Sequence, residues 1–169
     1  MNIVLIGMMG SGKSEVGKKL ADKLNYQYVD TDEMIEKDVG YSINEIFQNK
    51  GENSFRELEK KAVNCVSLLD NHVISTGGGV VKNSDNMEEL EKNSYVICLK
   101  ADSQTLYNRL KDKKDRPLLK VENPQQKLKE LLSKRKKYYK RCHYEVDTCD
   151  KNIEEVVGSI MGYILKNED

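Results

Sequence analysis

A chain of 169 residues is long enough to bury one core and short enough that a single domain over 1–169 is expected. Its 28 basic and 28 acidic residues cancel, which leaves no net field to attract nucleic acid or an acidic membrane surface. No apolar run approaches membrane-spanning length, and the first apolar stretch begins almost at Met1, so neither a membrane anchor nor a signal peptide is expected and the cytoplasm is the expected compartment.

In chain order, Ile3-Val4-Leu5-Ile6 is an apolar run of strand length that leads directly into Gly7-Met8-Met9-Gly10-Ser11-Gly12-Lys13-Ser14. A helix follows over 13–24, with Val16, Leu20 and Leu24 on one face. A second short strand is expected over 26–29, with Asp30-Thr31-Asp32 at its carboxyl end. Helices dominate 33–70, broken near Gly40 and Gly51. A third strand over 72–75 runs into Gly77-Gly78-Gly79. A fourth strand over 95–99 precedes a helix over 103–111. The highly charged stretch 111–123 contains Arg116-Pro117-Leu118-Leu119 and has the length of a lid. A helix over 124–141, a strand over 144–146 and a helix over 153–165 complete the chain. Strands alternating with helices predict a parallel sheet covered on both faces, with ligands beyond the carboxyl ends of its strands. Cys65, Cys98, Cys142 and Cys149 form no C-x-x-C pair, which suits reduced thiols better than a disulfide framework or zinc site.

Residues 7–14 fit G-x-x-x-x-G-K-[ST] in its required strand–loop–helix context, the signature of a loop that cradles a nucleoside triphosphate. Amides around Gly10, Ser11 and Gly12 would close on phosphate oxygens, Lys13 would reach the β- and γ-phosphates, and the Ser14 hydroxyl would ligate Mg²⁺. Such sites also place an acidic residue at the end of another strand to hold the metal shell. The third strand ends in Ser75-Thr76-Gly77 and offers none, so Asp30 is the best candidate. Asp30 and Asp32, two apart, are expected to point together toward the phosphates. In the alternative, Asp32 caps a helix beginning at Glu33. There is no N-K-x-D guanine motif.

Gly77, Gly78 and Gly79 in succession cost backbone entropy, which points to a hydroxylated or anionic ligand lying against their amides. Arg56 and Glu59 stand one helical turn apart. With Leu58, Ala62, Cys65, Val66 and Leu69 as the apolar stripe, periodicity alone leaves Arg56 solvated. Arg135 is different, because it falls in the middle of the stripe formed by Leu128, Leu131, Leu132, Tyr138 and Tyr139. A guanidinium in that position needs an anion, from either an internal carboxylate or a ligand. The basic run over 134–141 otherwise reads as a solvated helix face.

Taken in this order, the P-loop, Asp30-Thr31-Asp32, Gly51-Glu52-Asn53-Ser54-Phe55-Arg56-Glu57-Leu58-Glu59, the glycine run, Arg116-Pro117-Leu118-Leu119 and Arg135 with Tyr139 resemble shikimate kinase, a P-loop family related to nucleoside monophosphate kinases. The resemblance implies a three-layer αβα P-loop NTPase fold with a five-stranded parallel sheet ordered 2-3-1-4-5, a substrate-binding region near 31–60 and a lid near 111–123. It implies transfer of the ATP γ-phosphoryl group to the 3-hydroxyl of shikimate, with Mg²⁺, in aromatic amino acid biosynthesis, by a monomer. Under it, Lys13, Asp32 and Arg116 carry the catalysis, and Ser14 and Asp30 hold the metal. Arg109 lies against adenine, and Arg56, Glu59, Arg135 and the three glycines bind the acceptor. The sequence departs from the family pattern at Glu15, where threonine is common, and at Lys137, where proline is. A carboxylate at position 15 repels phosphate unless it turns away. A kinase for another small metabolite such as gluconate, or an ATP-dependent regulatory protein on the same fold, are the alternatives.

Overall fold

The computed structural model describes residues 1–113 and 121–167. Five parallel strands, β1 (Asn2–Gly7), β2 (Gln27–Asp30), β3 (His72–Ser75), β4 (Ser94–Lys100) and β5 (Tyr144–Asp147), form one sheet in the order β2-β3-β1-β4-β5. β1 lies at its centre, with Ile3 to Leu5 in register with Val73 to Ser75 on one side and Asn2 to Gly7 with Ser94 to Leu99 on the other. Because both faces are covered, β1 is apolar at every residue from Ile3 to Ile6 instead of alternating with polar ones.

The period of two sorts those side chains between two layers. Val4 and Ile6 enter the layer that holds Val63 and Val66 of α3 (Ile43–Ser67), Met87 and Leu90 of α4 (Ser84–Glu91), Leu106 of α5 (Ser103–Leu110) and Leu128 of α6 (Pro124–Tyr139). Ile3 and Leu5 face Leu20 of α1 (Lys13–Leu24) and Val157 and Ile160 of α7 (Ile153–Leu165). A smaller cluster of Ile35, Ile46, Phe55 and Ala62 joins α2 (Thr31–Val39) to α3, which is interrupted by non-helical Gly51. The four cysteines are free thiols, and no helix among the described residues is long and apolar enough to cross a membrane.

The chain leaves β1 for α1 on one face and leaves β3 for α4 on the other. The crevice between the carboxyl ends of β1 and β3 is therefore the topological switch point, where ligands of open α/β sheets bind. It brings the loop after Gly7 alongside the loop after Ser75.

Most expected elements lie within one or two residues of their expected bounds. The segment after the glycine run, for which no element was expected, forms a 3-10 turn over Val80–Lys82 and then α4. Asn83 caps α4, its side chain accepting from Asp85 N and Asn86 N at 2.9 and 3.4 Å. Two apolar stripes also differ. In α3 the buried face is Phe55, Glu59, Ala62, Val63 and Val66, while Cys65 is exposed, so the stripe is rotated by one residue and has a carboxylate at its centre. In α6 the buried residues are Leu128, Arg135 and Tyr139. Tyr138 is exposed and carries Lys137 over its ring. Of the stretch 111–123 expected as a lid, residues 114–120, including Arg116, lie outside the described residues.

Candidate active site

The phosphate loop is built around backbone that only glycine adopts readily. Gly10 has φ 80°, and Gly12 caps α1 with φ 94° and ψ 13° and no side-chain bond to the helix amides. The amides of the first turn are thus left for an anion, with the positive end of the helix dipole behind them. Lys13 Nζ folds back to the carbonyls of Gly7 and Met8 at 2.8 and 3.1 Å. Glu15 is exposed in the same first turn and lines the cleft.

Asp30 at the end of β2 divides its two oxygens between two tasks. Oδ1 accepts from Asp32 N at 2.9 Å and Glu33 N at 3.4 Å, and so caps α2. Oδ2 accepts from Ser14 Oγ and from the Tyr28 hydroxyl, both at 3.2 Å. The helix cap is Asp30, two residues earlier than the Asp32 cap expected as the alternative. Asp32 sits in the first helical turn of α2, not on an extended turn parallel to Asp30. Burial and the Asp30 charge push the Tyr28 hydroxyl up to about 12, so it remains a donor.

The three glycines explain one another through what lies against them. A methyl group on Gly77 would stand 2.8 Å from Asp32 Oδ1 and 3.2 Å from Glu59 Oε1. On Gly78 it would meet Gly7 O and Met9 N at 3.4 Å and Arg135 Nη1 at 3.6 Å. On Gly79 it would lie 2.6 and 2.7 Å from the terminal nitrogens of Arg56. The run is therefore where Asp32, Glu59, Arg135, Arg56 and the phosphate loop converge. Close approach of charged side chains disfavours a Cβ at Gly77 and Gly79, whereas at Gly78 one would make ordinary contacts.

Arg56 is held by carboxylates one turn before and one turn after it on the helix, Glu52 Oε1 at 3.1 Å and Glu59 Oε2 at 2.8 Å. The solvated arginine expected from periodicity is instead a positioned one, because Glu59 lies on the buried face and draws the guanidinium in. Glu59 is 1% exposed, and its Oε1 has no hydrogen-bond partner among the described residues. Burial raises its pKa above the usual glutamate value, and the Arg56 charge offsets only part of that shift. A raised native pKa means that the folded state holds the proton more tightly than the unfolded chain. The stability this contributes is fully present below about pH 4.5 and is lost as pH rises through the native value. Glu59→Gln keeps the neutral form at every pH, so its stability relative to the wild-type should rise across that window. Denaturant midpoints of both proteins from pH 4 to pH 8 test this, and a constant difference would count against it.

Arg135 is 7% exposed and donates from Nη1 to the Gly78 carbonyl at 3.3 Å, with Met8 Sδ at 3.8 Å. Among the described residues no carboxylate forms an ion pair with it. Of the two partners that the sequence left open, the internal carboxylate is thus not found.

An open cleft of about 1440 Å³ runs from Asp32, Gly77 and Gly78, past the phosphate loop, to Arg109, Thr148 and Asn152. At that far end Arg109 donates to Gly10 O at 3.2 Å, to Thr148 Oγ1 at 3.0 Å and to Thr148 O at 2.8 Å, which fixes its plane as a wall. Thr148 was not anticipated. A polar residue directly after the last strand was the available signal, since its hydroxyl returns to Lys100 O at 2.9 Å and ties β5 to β4.

The shikimate kinase family model matches residues 9–165. Shikimate kinase of Caldanaerobacter subterraneus subsp. tengcongensis is 47% identical over 165 residues, which is 98% of this chain and 96% of that protein. The enzyme of Thermodesulfovibrio yellowstonii is 45% identical over 95% of this chain and 92% of its own length. The structure of shikimate kinase from Acinetobacter baumannii in complex with shikimate superposes with a TM-score of 0.95 at 36% identity, covering 98% of this chain and 93% of that one. The match runs from inside the phosphate loop to the end of α7 and takes in every side chain that converges on the glycine run: this chain belongs to the shikimate kinase family.

Proposed function

We propose that the protein transfers the γ-phosphoryl group of ATP to the 3-hydroxyl of shikimate, giving shikimate 3-phosphate and ADP. The observation that carries this reading is that the glycine run bordering the phosphate-loop cleft also meets a buried arginine with which no carboxylate among the described residues forms an ion pair. A small acid that also bears hydroxyl groups answers both needs, as the acceptor named for the similar Acinetobacter structure does.

In this reading Arg135 and Arg56 grip the acceptor carboxylate, with Glu59 fixing the angle of Arg56. The amides of Gly77, Gly78 and Gly79 contact acceptor hydroxyls, and Asp32 orients the 3-hydroxyl and takes its proton. The hydroxyl oxygen attacks the γ-phosphorus in line as the bond to the β,γ-bridging oxygen breaks and ADP leaves. Lys13 exchanges the Gly7 and Met8 carbonyls for phosphate oxygens, and the Gly10, Ser11 and Gly12 amides hold the rest of the phosphate chain. Arg109 with Thr148 walls the adenine. Arg116, outside the described residues, would close over the phosphates from a lid spanning 111–123.

Ser14 Oγ and Asp30 Oδ2, 3.2 Å apart, offer the hard oxygen donors that Mg²⁺ prefers, and the phosphates and water would complete the shell. When bound there, the ion would offset charge on the transferring group. Asp30→Asn keeps an oxygen for capping α2 but removes the charge, so the Mg²⁺ concentration for half-maximal rate should rise about tenfold with little change in melting temperature. A titration of rate against Mg²⁺ checks this. The monomeric, cytoplasmic state without nucleic acid or membrane partners remains part of the proposal.

The decisive experiment is ADP release with ATP, Mg²⁺ and a panel of acceptors. Shikimate alone should drive turnover. Turnover with gluconate or a nucleoside monophosphate and none with shikimate would overturn the proposal, as would ATP binding with no shikimate binding by calorimetry.

A further inference from the structure

The glycine run holds a conformational choice that its own sequence leaves open. Val80 N donates to Gly77 O at 3.2 Å, which closes a four-residue turn with Gly78 and Gly79 at its centre. Gly79 has φ −99° and ψ −5°, the values of a type I turn, whereas type II needs φ near about +80° at that position. The two types differ by a flip of the central peptide unit, the Gly78 carbonyl together with the Gly79 amide. With glycine at both central positions neither state is sterically barred. Something outside the turn must select one.

Two donors from α6 reach the Gly78 carbonyl. The Tyr139 hydroxyl donates at 2.6 Å, and Arg135 Nη1 at the longer distance of 3.3 Å. The trans peptide is planar, so a carbonyl drawn toward α6 turns the Gly79 N–H away from α6. In the flipped state the carbonyl would leave both α6 donors and the Gly79 N–H would turn toward α6. An acceptor carboxylate would compete with the Gly78 carbonyl for the Arg135 guanidinium, whose bond to that carbonyl is already the longer of the two. Among the described residues Tyr139 has no competing acceptor other than Met8 Sδ at 3.6 Å, and it is 5% exposed beside the Arg135 guanidinium. Burial pushes its hydroxyl up to about 12, so it donates throughout the working pH range.

We infer that Tyr139 is a positioning residue for the acceptor site, its hydroxyl latching the Gly77–Val80 turn in the state that offers the Gly79 amide to substrate when Arg135 is engaged. This rests on the kinase reading above, with shikimate as the acceptor that Arg135 grips.

Tyr139→Phe removes the latch and keeps the ring. One lost hydrogen bond should raise the KM for shikimate about 2- to 13-fold, with the KM for ATP within about twofold and the melting temperature lower by at most a few degrees. The Gly79 amide cross-peak should also move in a nitrogen–proton correlation spectrum. An unchanged shikimate KM would overturn the inference. So would a parallel rise in both KM values with a larger fall in melting temperature, which would mark a merely structural tyrosine. If the variant does not fold, wild-type protein carrying carbon-13 glycine decides: the Gly78 carbonyl resonance should keep its hydrogen-bonded position at saturating shikimate, and a shift to the free-carbonyl position would refute the latch. Wild-type turnover of shikimate is the control, and its absence would defeat the kinase reading without bearing on Tyr139.

Discussion

Replacing Asp32 by Asn should lower kcat for shikimate phosphorylation by about two to four orders of magnitude, the range typical of a lost general base. ATP affinity should stay near the wild-type value. The reasoning starts from position. Asp32 is in the first turn of α2, and its Oδ1 lies within 2.8 Å of where a Gly77 Cβ would stand, at the boundary between the phosphate loop and the arginine pair. An acceptor whose carboxylate reaches Arg135 and Arg56 must cross that boundary to meet the γ-phosphate. Asn preserves volume and stays compatible with a helix first turn, so only a few tenths of a kcal/mol of dipole interaction is lost from stability. What disappears is the ability to take the proton. Steady-state kinetics with calorimetric ATP binding separate these effects, and a kcat within threefold of wild-type would remove Asp32 from the chemistry.

Those parts of the site that depend on local sequence were legible, and those that depend on packing were less so. Residues 7–14 carry their own context of strand, loop and helix, and the structure places them at the predicted end of β1. Arg135 was legible as an anomaly, because a charge within an apolar stripe is a contradiction that sequence can register. Arg56 was not. Its burial is caused by Glu59, and a carboxylate at the centre of a buried helix face is the residue a periodicity count leaves out. Once Glu59 is discounted, Cys65 enters the stripe in its place and rotates it by one residue.

The Asp30–Asp32 pair shows a related limit. Either can cap a helix, and the choice depends on where β2 stops, which is set by its pairing with Ser75 of β3. The short helix α4 was missed although Asn83-Ser84-Asp85 is a capping signature, since only Met87 and Leu90 repeat on its apolar face. The polar residue after the last strand marks Thr148, but nothing local pairs it with Arg109, because those residues are 39 apart and the sheet brings them together.

Arg135→Met should separate binding from stability more sharply than any other substitution in the site. In the absence of substrate the guanidinium is 7% exposed and, among the described residues, is bonded by a carbonyl at 3.3 Å and a sulfur, a costly environment for a full charge. An unbranched apolar side chain of similar length should pack among Met8, Leu131, Leu132 and Tyr139, which surround or border this layer. Replacing a buried, incompletely paired charge by such a side chain is commonly neutral or stabilising. The melting temperature should therefore hold or rise. Acceptor binding should behave in the opposite way. Losing one partner of a buried charge-assisted pair costs about 2–5 kcal/mol, so the KM for shikimate should increase at least about 30-fold. The KM for ATP should change little, since the hydrogen-bond contact of Arg135 with the phosphate loop is the long one to Met8 Sδ. Thermal denaturation and initial rates with each substrate varied in turn test both halves. A variant that loses stability and binds both substrates poorly would mean that Arg135 braces α6 against the loop. A variant that keeps its shikimate KM would mean that the carboxylate is gripped elsewhere.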